Sequence, residues 1–289
     1  MQNHTFLQET INSIEQNSVL PQRVNNAYQM RNVLGSNTLY LNWGLWNSTI
    51  VDMDEAACEL VLHLGRMAGI GSQTSLLDVG FGFGDQLLDW CRHASLQNAQ
   101  GINICPEQTE IARIRLEQEG FAERVSVQCG DAVQLPFSAA SFDVVTAVEC
   151  AFHFRSRGEF FSEAKRVLKN GGCLVLADFI NTEQAPGKLQ KLAQRLAVHY
   201  WGFAPNSFCS AEEYAAILTQ CGFHEVRIEK VTESVIPPGM SYARRKIWSS
   251  DLWRRMSFGA WFTTMAALAL SGLLSDPLPG EYVFVRAQC

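Results

Sequence analysis

Two side chains in the middle of the chain could move a proton. His153 lies in "ECAFHF" (149–154) and Asp178 in "LADF" (176–179), each at the end of an apolar run that reads as a buried strand. An imidazole titrates near neutrality and suits a general base. Asp178 could orient that ring, contact a substrate hydroxyl, or act as the base itself. Neighbouring parallel strands run about 4.8 Å apart, so both side chains could reach one cavity. The structural alternatives stay open: His153 as a satisfied buried histidine, Asp178 as a cap on the segment that follows. His199 in "VHYWGF" (198–203) reads as pocket wall together with Trp201 and Phe203, and His63 and His93 fall on outer helices.

A second stretch could hold a ligand. In "LLDVGFGFGDQ" (76–86) a short apolar run containing Asp78 passes into Gly80, Gly82 and Gly84, alternating with Phe81 and Phe83. Glycine permits positive φ and lets a ligand pack against main chain. The bland alternative is a tight turn with no ligand. A dinucleotide fingerprint would be G-x-G-x-x-G with an acid about 20 residues on. Here the pattern is G-x-G-x-G, and Asn103 stands where that acid would be.

The elements that must position these residues are legible. The periodicity predicts a helix from about 52 to 69 with Asp52 or Asp54 at its start and Gly69 at its end. Strands are predicted over 75–80, 99–104, 124–132, 142–150 and 173–179, and helices over 84–94, 107–120 and 156–172, the last stopped by Gly171 and Gly172. Such alternation implies an α/β doubly wound, mostly parallel sheet, whose ligands bind beyond the strands' carboxyl ends. Then come a helix at about 186–201, a helix with a capping box from Ser210 to Glu213, a strand over 225–235 and a last strand over 282–287. Residues 237–281 form a helical insertion, long for a loop. The expected organisation is an N-terminal cap segment (1–50), a core (51–180) and substrate-side helices with the last two strands (181–289).

Composition narrows the function classes. The chain has 289 residues, is 47% hydrophobic and carries a net charge of −6, which disfavours nucleic-acid partners. Nine cysteines without CxxC or metal-ligand spacing suit reduced thiols in a cytoplasmic protein with no metal. The start of the chain lacks the basic and apolar regions of a signal peptide. "GAWFTTMAALALSGLL" (259–274) falls short of the ~20 residues that span a bilayer, so a buried or lid helix is expected. Oligomerisation is left open.

Taken together, "LLDVGFGFGDQ", "GINICPEQTEIAR", "VQCGDAVQLPFSAASFDVVTAVECAFHF" and "EAKRVLKNGGCLVLADF" resemble the class I S-adenosylmethionine-dependent methyltransferases. Within them the chain is most similar to the small-molecule group of natural-product sugar O-methyltransferases and tocopherol-type C-methyltransferases. The resemblance implies a seven-stranded, mostly parallel, Rossmann-like sheet with a helical cap, and S-adenosylmethionine as cofactor. It implies that Asp78, Gly80, Phe81, Gly82 and Gly84 hold the cofactor's amino-acid end. Asn103 and Ile104 would lie at the ribose, with help from Gln108, where the family's pattern has an acid. Asp131 and Ala132 would meet the adenine, and Glu149 and Cys150 the methionine part. Phe81 replaces the usual cysteine of the loop. "LNWGLW" (41–46) falls where relatives lay an aromatic segment over the cofactor, so Trp43 or Trp46 would face the sulfonium or act as a buried staple. In the sugar O-methyltransferases, histidine and aspartate at the positions of His153 and Asp178 are the proposed catalytic pair.

The aromatic residues of the C-terminal third point to a lipophilic acceptor. O-methylation is favoured by the His153/Asp178 pair, with C-methylation of an isoprenoid, indole or quinone-like acceptor and N-methylation as alternatives. A nicotinamide-dependent oxidoreductase and a non-catalytic protein on the same fold complete the range.

Overall fold

The apolar runs of the sequence become a sheet because each is flanked by amphipathic helices that cover it. The computed structural model describes residues 34–181, 204, 208–249 and 280–289. In chain order the elements are α1 (Met53–Ala68), β1 (Ser75–Val79), α2 (Asp85–His93), β2 (Asn98–Asn103), α3 (Pro106–Gln118), β3 (Val125–Cys129) and β4 (Phe142–Val148). A 3-10 turn (Ala151–His153), α4 (Arg157–Val167), β5 (Leu168–Ile180), α5 (Ala211–Gln220), β6 (His224–Lys230), α6 (Thr232–Lys246) and β7 (Glu281–Gln288) follow. The seven strands lie in the order β3-β2-β1-β4-β5-β7-β6. β7 is antiparallel to both of its neighbours; the pairings among β1 to β5 are parallel.

Each sheet face has its own core. Leu60, Leu64, Trp90 and Phe81 pack on one face with α1 and α2, while Phe160, Phe161, Tyr214 and Leu218 bring α4 and α5 to the other. Strands buried on both faces explain the unbroken apolar runs of β1 and β4. The strand order reverses at β1 and β4, so the crevice beyond their carboxyl ends is the ligand position of an open α/β sheet.

Helix ends follow local chemistry. Asp52 caps α1 by accepting from Glu55 N–H at 3.0 Å, and Gly69 ends it in the left-handed region. Asp54 is used differently: its carboxylate accepts from the N–H groups of Ser36, Asn37 and Thr38, pinning the N-terminal segment to the start of α1. The capping box of Ser210 and Glu213 is present at α5.

Two expectations are corrected. α4 stops at Val167, before Gly171 and Gly172, because Leu168 is drawn into β5, where it pairs with Phe142. The strand expected over 225–235 ends at Lys230, and residues 232–235 open α6 instead. Pro237 and Pro238 lie inside that helix past its first turn, so the carbonyls of Glu233 and Ser234 lose their helical donors, and Ser234 takes Trp46 N–H at 2.8 Å instead. The insertion is thus helical through Lys246 among the described residues; the helix expected at 186–201 and residues 250–279 lie outside them.

Candidate active site

The glycine loop leaves β1 at the reversal point. Gly80 has φ 73° and a Cβ there would stand 2.6 Å from Cys150 Sγ, so bare backbone is needed for β1 to pass the end of β4. Gly82 has φ 57°, yet its nearest neighbour would be the tip of Leu41 at 3.6 Å. Among the described residues, the space at Gly82 is therefore left open, as a ligand cradle requires. Phe81, by contrast, is buried with its ring against Gly101 of β2, so only its backbone faces the loop.

Beneath the loop, Asp78 is fully buried and accepts from Thr146 Oγ1 at 2.8 Å. Burial pushes its carboxyl up to about 7, against the opposing pull of Thr146 and Gln86. Its Oδ2 and the Gln86 amide nitrogen make no well-formed hydrogen bond. These two buried polar atoms interact with each other without a well-formed bond, and such loosely held groups under an open glycine cradle fit a polar ligand group at this point. Gln86 was missed from sequence; its signal was a polar side chain in the first turn of a helix that starts at a glycine loop.

Along the rim, Asn103 donates to Gln108 Oε1 at 2.8 Å and to the Gly82 carbonyl at 3.3 Å, tying the end of β2 to α3 and to the loop. Ile104, next along, is 53% exposed, an apolar side chain offered to solvent beside polar ones. Asp131 keeps an exposed carboxylate whose Oδ1 accepts from Val133 N–H while Arg155 stands 3.9 Å from its Oδ2, and Ala132 is buried. An apolar platform with a carboxylate acceptor nearby suits a purine ring and its amino group.

Segment 39–46 is fastened to several elements around this crevice. Leu39 N–H donates to Asp85, Tyr40 hydroxyl to Asp89 at 2.6 Å, and Trp43 N–H to Glu149 Oε1 at 2.8 Å. Trp46 answers the question left between facing a cofactor and stapling. It is buried, its indole N–H donates to the Trp43 carbonyl, and its ring packs 5.4 Å from that of Tyr242 on α6. These contacts favour the staple over a place at the cofactor or acceptor. Trp43 is partly buried and abuts Gly239 of α6. Glu149, at φ 51°, also accepts from Tyr282 hydroxyl at 2.6 Å, and burial raises its carboxyl to about 7. Cys150 is buried, its thiol donating to the Val79 carbonyl and held protonated by burial.

His153 and Asp178 are not a pair of equals. His153 closes the 3-10 turn after β4, partly exposed, with its ring 4.3 Å from that of Phe152. Asp178 has no exposed surface, and Arg157 grips it with two bonds, Nε to Oδ2 at 2.8 Å and Nη2 to Oδ1 at 3.0 Å. Tyr214 hydroxyl and Phe179 N–H also donate to it. Four hydrogen bonds thus occupy the Asp178 carboxylate, and of the roles left open to it this engagement favours a structural one over that of base. Arg157 was the residue missed here. A cation in the first turn of a helix opposes the dipole, which was the signal that it had a buried partner.

Cys58, Asp89 and His93 bring one ligand atom each within 4.8 Å of one another, a cluster between α1 and α2 that the sequence spacing did not show. Asp89 there already accepts from Tyr40 and Arg92, and burial beside Asp89 pushes the Cys58 thiol up to about 12. His199, Trp201 and Phe203 lie outside the described residues. Among those residues, no helix is long and apolar enough to cross a membrane.

Residues 77–176 match the family model described as a methyltransferase domain. The chain is 34% identical over 254 residues to erythromycin 3''-O-methyltransferase of Saccharopolyspora erythraea, covering 86% of this chain and 83% of that one. It belongs to the class I S-adenosylmethionine-dependent methyltransferases. A second methyltransferase relative, 27-O-demethylrifamycin SV methyltransferase of Amycolatopsis mediterranei, is 32% identical, over 71% of this chain and 74% of that one. Solved structures agree on the fold. Phosphoethanolamine N-methyltransferase 2 of Haemonchus contortus, bound to S-adenosylmethionine, superposes with TM-score 0.72 at 18% identity, over 94% of this chain and 60% of that one. A 4+2 cyclase, SpnF, does so at 0.69 and 22%, over 92% of both chains, so the fold by itself does not name the reaction. This methyltransferase uses S-adenosylmethionine, and the open cradle at Gly82, the loosely held Asp78 and Gln86 atoms and the Ile104–Asp131 rim fit it.

Proposed function

We propose that this methyltransferase transfers a methyl group to a hydroxyl of a lipophilic small molecule of secondary metabolism, with His153 as the general base. The observation that carries the reading is the likeness, over most of the chain, to an enzyme named for 3''-O-methylation of erythromycin. The place of His153, partly exposed just past the carboxyl end of β4, supports it.

S-adenosylmethionine, when bound, supplies the electrophilic methyl group and needs no help from the protein to be reactive. The chain's own residues must then align the acceptor, exclude water and take a proton. The cofactor's carriers in this reading are the backbone of Gly80–Gly84 and the loosely held Asp78 and Gln86 atoms at its amino-acid end. Asn103, Gln108 and Ile104 would serve the ribose and adjoining ring face, and Asp131 with Ala132 the adenine. Segment 39–46 would shield the methionine part from water, Trp43 being its inner aromatic. His153, packed on Phe152, would receive the hydroxyl proton. Phe152 and Phe179, ring centres 5.3 Å apart, form an apolar wall behind it. Arg157 neutralises Asp178, which leaves the proton transfer in this reading to the imidazole.

The test is to incubate the purified protein with labelled S-adenosylmethionine and a panel of hydroxylated macrolides, polyketides and their glycosides, with phenols and secondary amines as comparison sets. Label on a hydroxyl oxygen of the lipophilic set supports the reading. Label only on amine nitrogen would replace it.

A further inference from the structure

We infer that Glu149 is a positioning residue whose carboxylate latches the aromatic segment 39–46 onto the strand ends that carry the active site. The geometry begins with a cost. Glu149 is a non-glycine residue at φ 51°, a left-handed conformation that disfavours any side chain with a Cβ. Glycine would relieve that strain, so a glutamate here is accounted for by what its carboxylate does. Its Oε1 accepts two bonds from distant parts of the chain, Trp43 N–H at 2.8 Å and Tyr282 hydroxyl at 2.6 Å. The left-handed kink turns the side chain toward both while its own N–H remains bonded to the Ala177 carbonyl of β5.

Position gives the latch its meaning. Cys150, the next residue, touches the Gly80 backbone, and His153 follows on the same turn. On the segment's side, Leu41 reaches toward Gly82, and Gly44 presses so closely on α1 that a Cβ would stand 2.5 Å from that of Ala56. Leu45 N–H donates to Ala56 O and Trp46 N–H to Ser234 O, so its far end rests on α1 and α6. The Trp43–Glu149 bond joins this outer cover to β4, and Tyr282 braces the acceptor from β7. The segment is therefore held at the height of the glycine loop by a side chain that is itself part of the site's floor.

The experiment measures amide hydrogen exchange of residues 39–46 and calorimetric binding of S-adenosylmethionine and S-adenosylhomocysteine. It compares the wild type with Glu149→Ala, Glu149→Gln and Tyr282→Phe. Glutamine keeps an acceptor oxygen for both donors, so Glu149→Gln should stay within about three-fold of wild type in both affinities. Glu149→Ala should bind both ligands about ten-fold more weakly and lose the ligand-induced protection of 39–46, while exchange in β1 and β4 is unchanged. Tyr282→Phe, which removes one hydroxyl from an otherwise intact core, should give a smaller loss in the same segment and covers the case in which the alanine variant fails to fold. Unchanged ligand-induced protection of 39–46 in Glu149→Ala, or in Tyr282→Phe if alanine does not fold, would overturn the assignment. So would a loss in Glu149→Gln equal to that in Glu149→Ala.

Discussion

Arg157 and Asp178 meet in a two-pronged ion pair with both side chains almost wholly out of water, at 6% and 0% exposure. The relationship joins the first turn of α4 to the end of β5, and Tyr214 of α5 closes over it by donating to the same carboxylate at 2.9 Å. The desolvated guanidinium is held fully charged by Asp178, and the Tyr214 phenol is pushed well above its usual range. This pair separates the structural from the chemical work at the strand ends.

Removing one partner should therefore cost stability before it costs chemistry. Asp178→Ala takes the carboxylate away from the buried Arg157 guanidinium, and should destabilise the fold by about 3–5 kcal/mol in urea unfolding. Arg157→Met should cost a similar amount. Substituting both by apolar residues of similar volume should recover most of the loss. A folded Asp178→Ala protein of wild-type stability but no turnover would return Asp178 to the role of base.

His153 carries the opposite expectation. His153→Ala should unfold at wild-type denaturant concentration and bind S-adenosylhomocysteine as the wild type does. Its turnover on a hydroxyl acceptor should fall about 100- to 10,000-fold. Raising the pH should restore part of that rate for a phenolic acceptor, which loses its proton to solvent, and little for an aliphatic alcohol. Initial rates on the two acceptors across pH check this.

The glycine loop separates fold from ligand binding. Gly80→Ala must push Cys150 aside as well as strain the backbone, and should destabilise the protein measurably. Gly82→Ala meets nothing nearer than 3.6 Å and should cost only about 1 kcal/mol of backbone strain. Its methyl would nevertheless enter the cradle, so S-adenosylhomocysteine affinity should fall by more than ten-fold. Calorimetry beside thermal unfolding of the two variants reads the contrast.

The buried carboxyls set a pH dependence. Asp78 and Glu149 are raised in the folded state from ordinary values of 3.8 and 4.5 to about 7. A carboxyl raised on folding favours the native state most fully below its unfolded value and loses that contribution as pH rises through the folded value. Stability of the ligand-free protein should therefore fall between about pH 4 and pH 7 from these two groups, by an amount on the order of 4 kcal/mol from Asp78 and 3 kcal/mol from Glu149. The groups facing Glu149 are Tyr282 from β7, Asp178 from β5 and Cys150 beside it; Thr146 and Gln86 face Asp78. Glu149→Gln should flatten part of the slope in unfolding curves taken across that window. A slope unchanged in both Glu149→Gln and Asp78→Asn would contradict these assignments.

Much of the scaffold was legible in the sequence because it rests on local signals. Alternating apolar runs and amphipathic stretches marked β1 to β5, the glycines marked the loop, and Ser210 with Glu213 marked the start of α5. The errors arose where tertiary packing overrode local chemistry. Gly171 and Gly172 look like a helix stop, yet β4 recruits Leu168 into β5 ahead of them. The apolar and polar alternation through 231–235 looks like more strand, yet β6 ends at Lys230 and Thr232 opens α6. In the site, His153 could be named from its place after a strand. The identity of its neighbour could not: Asp178 meets a side chain 21 positions earlier, and no local pattern encodes that encounter. The double use of Glu149 is likewise invisible in sequence, since its partners lie 106 and 133 positions away.

The most direct test of the central claim is methyl transfer by wild type and His153→Ala, each saturated with S-adenosylmethionine, on a lipophilic hydroxylated acceptor found in the panel. The product is read by mass spectrometry and the methylated atom by NMR. One methyl group is expected on oxygen in the wild type, with its near-complete loss in His153→Ala although cofactor affinity is unchanged. Transfer to carbon or nitrogen, or a His153→Ala rate equal to wild type, would contradict it.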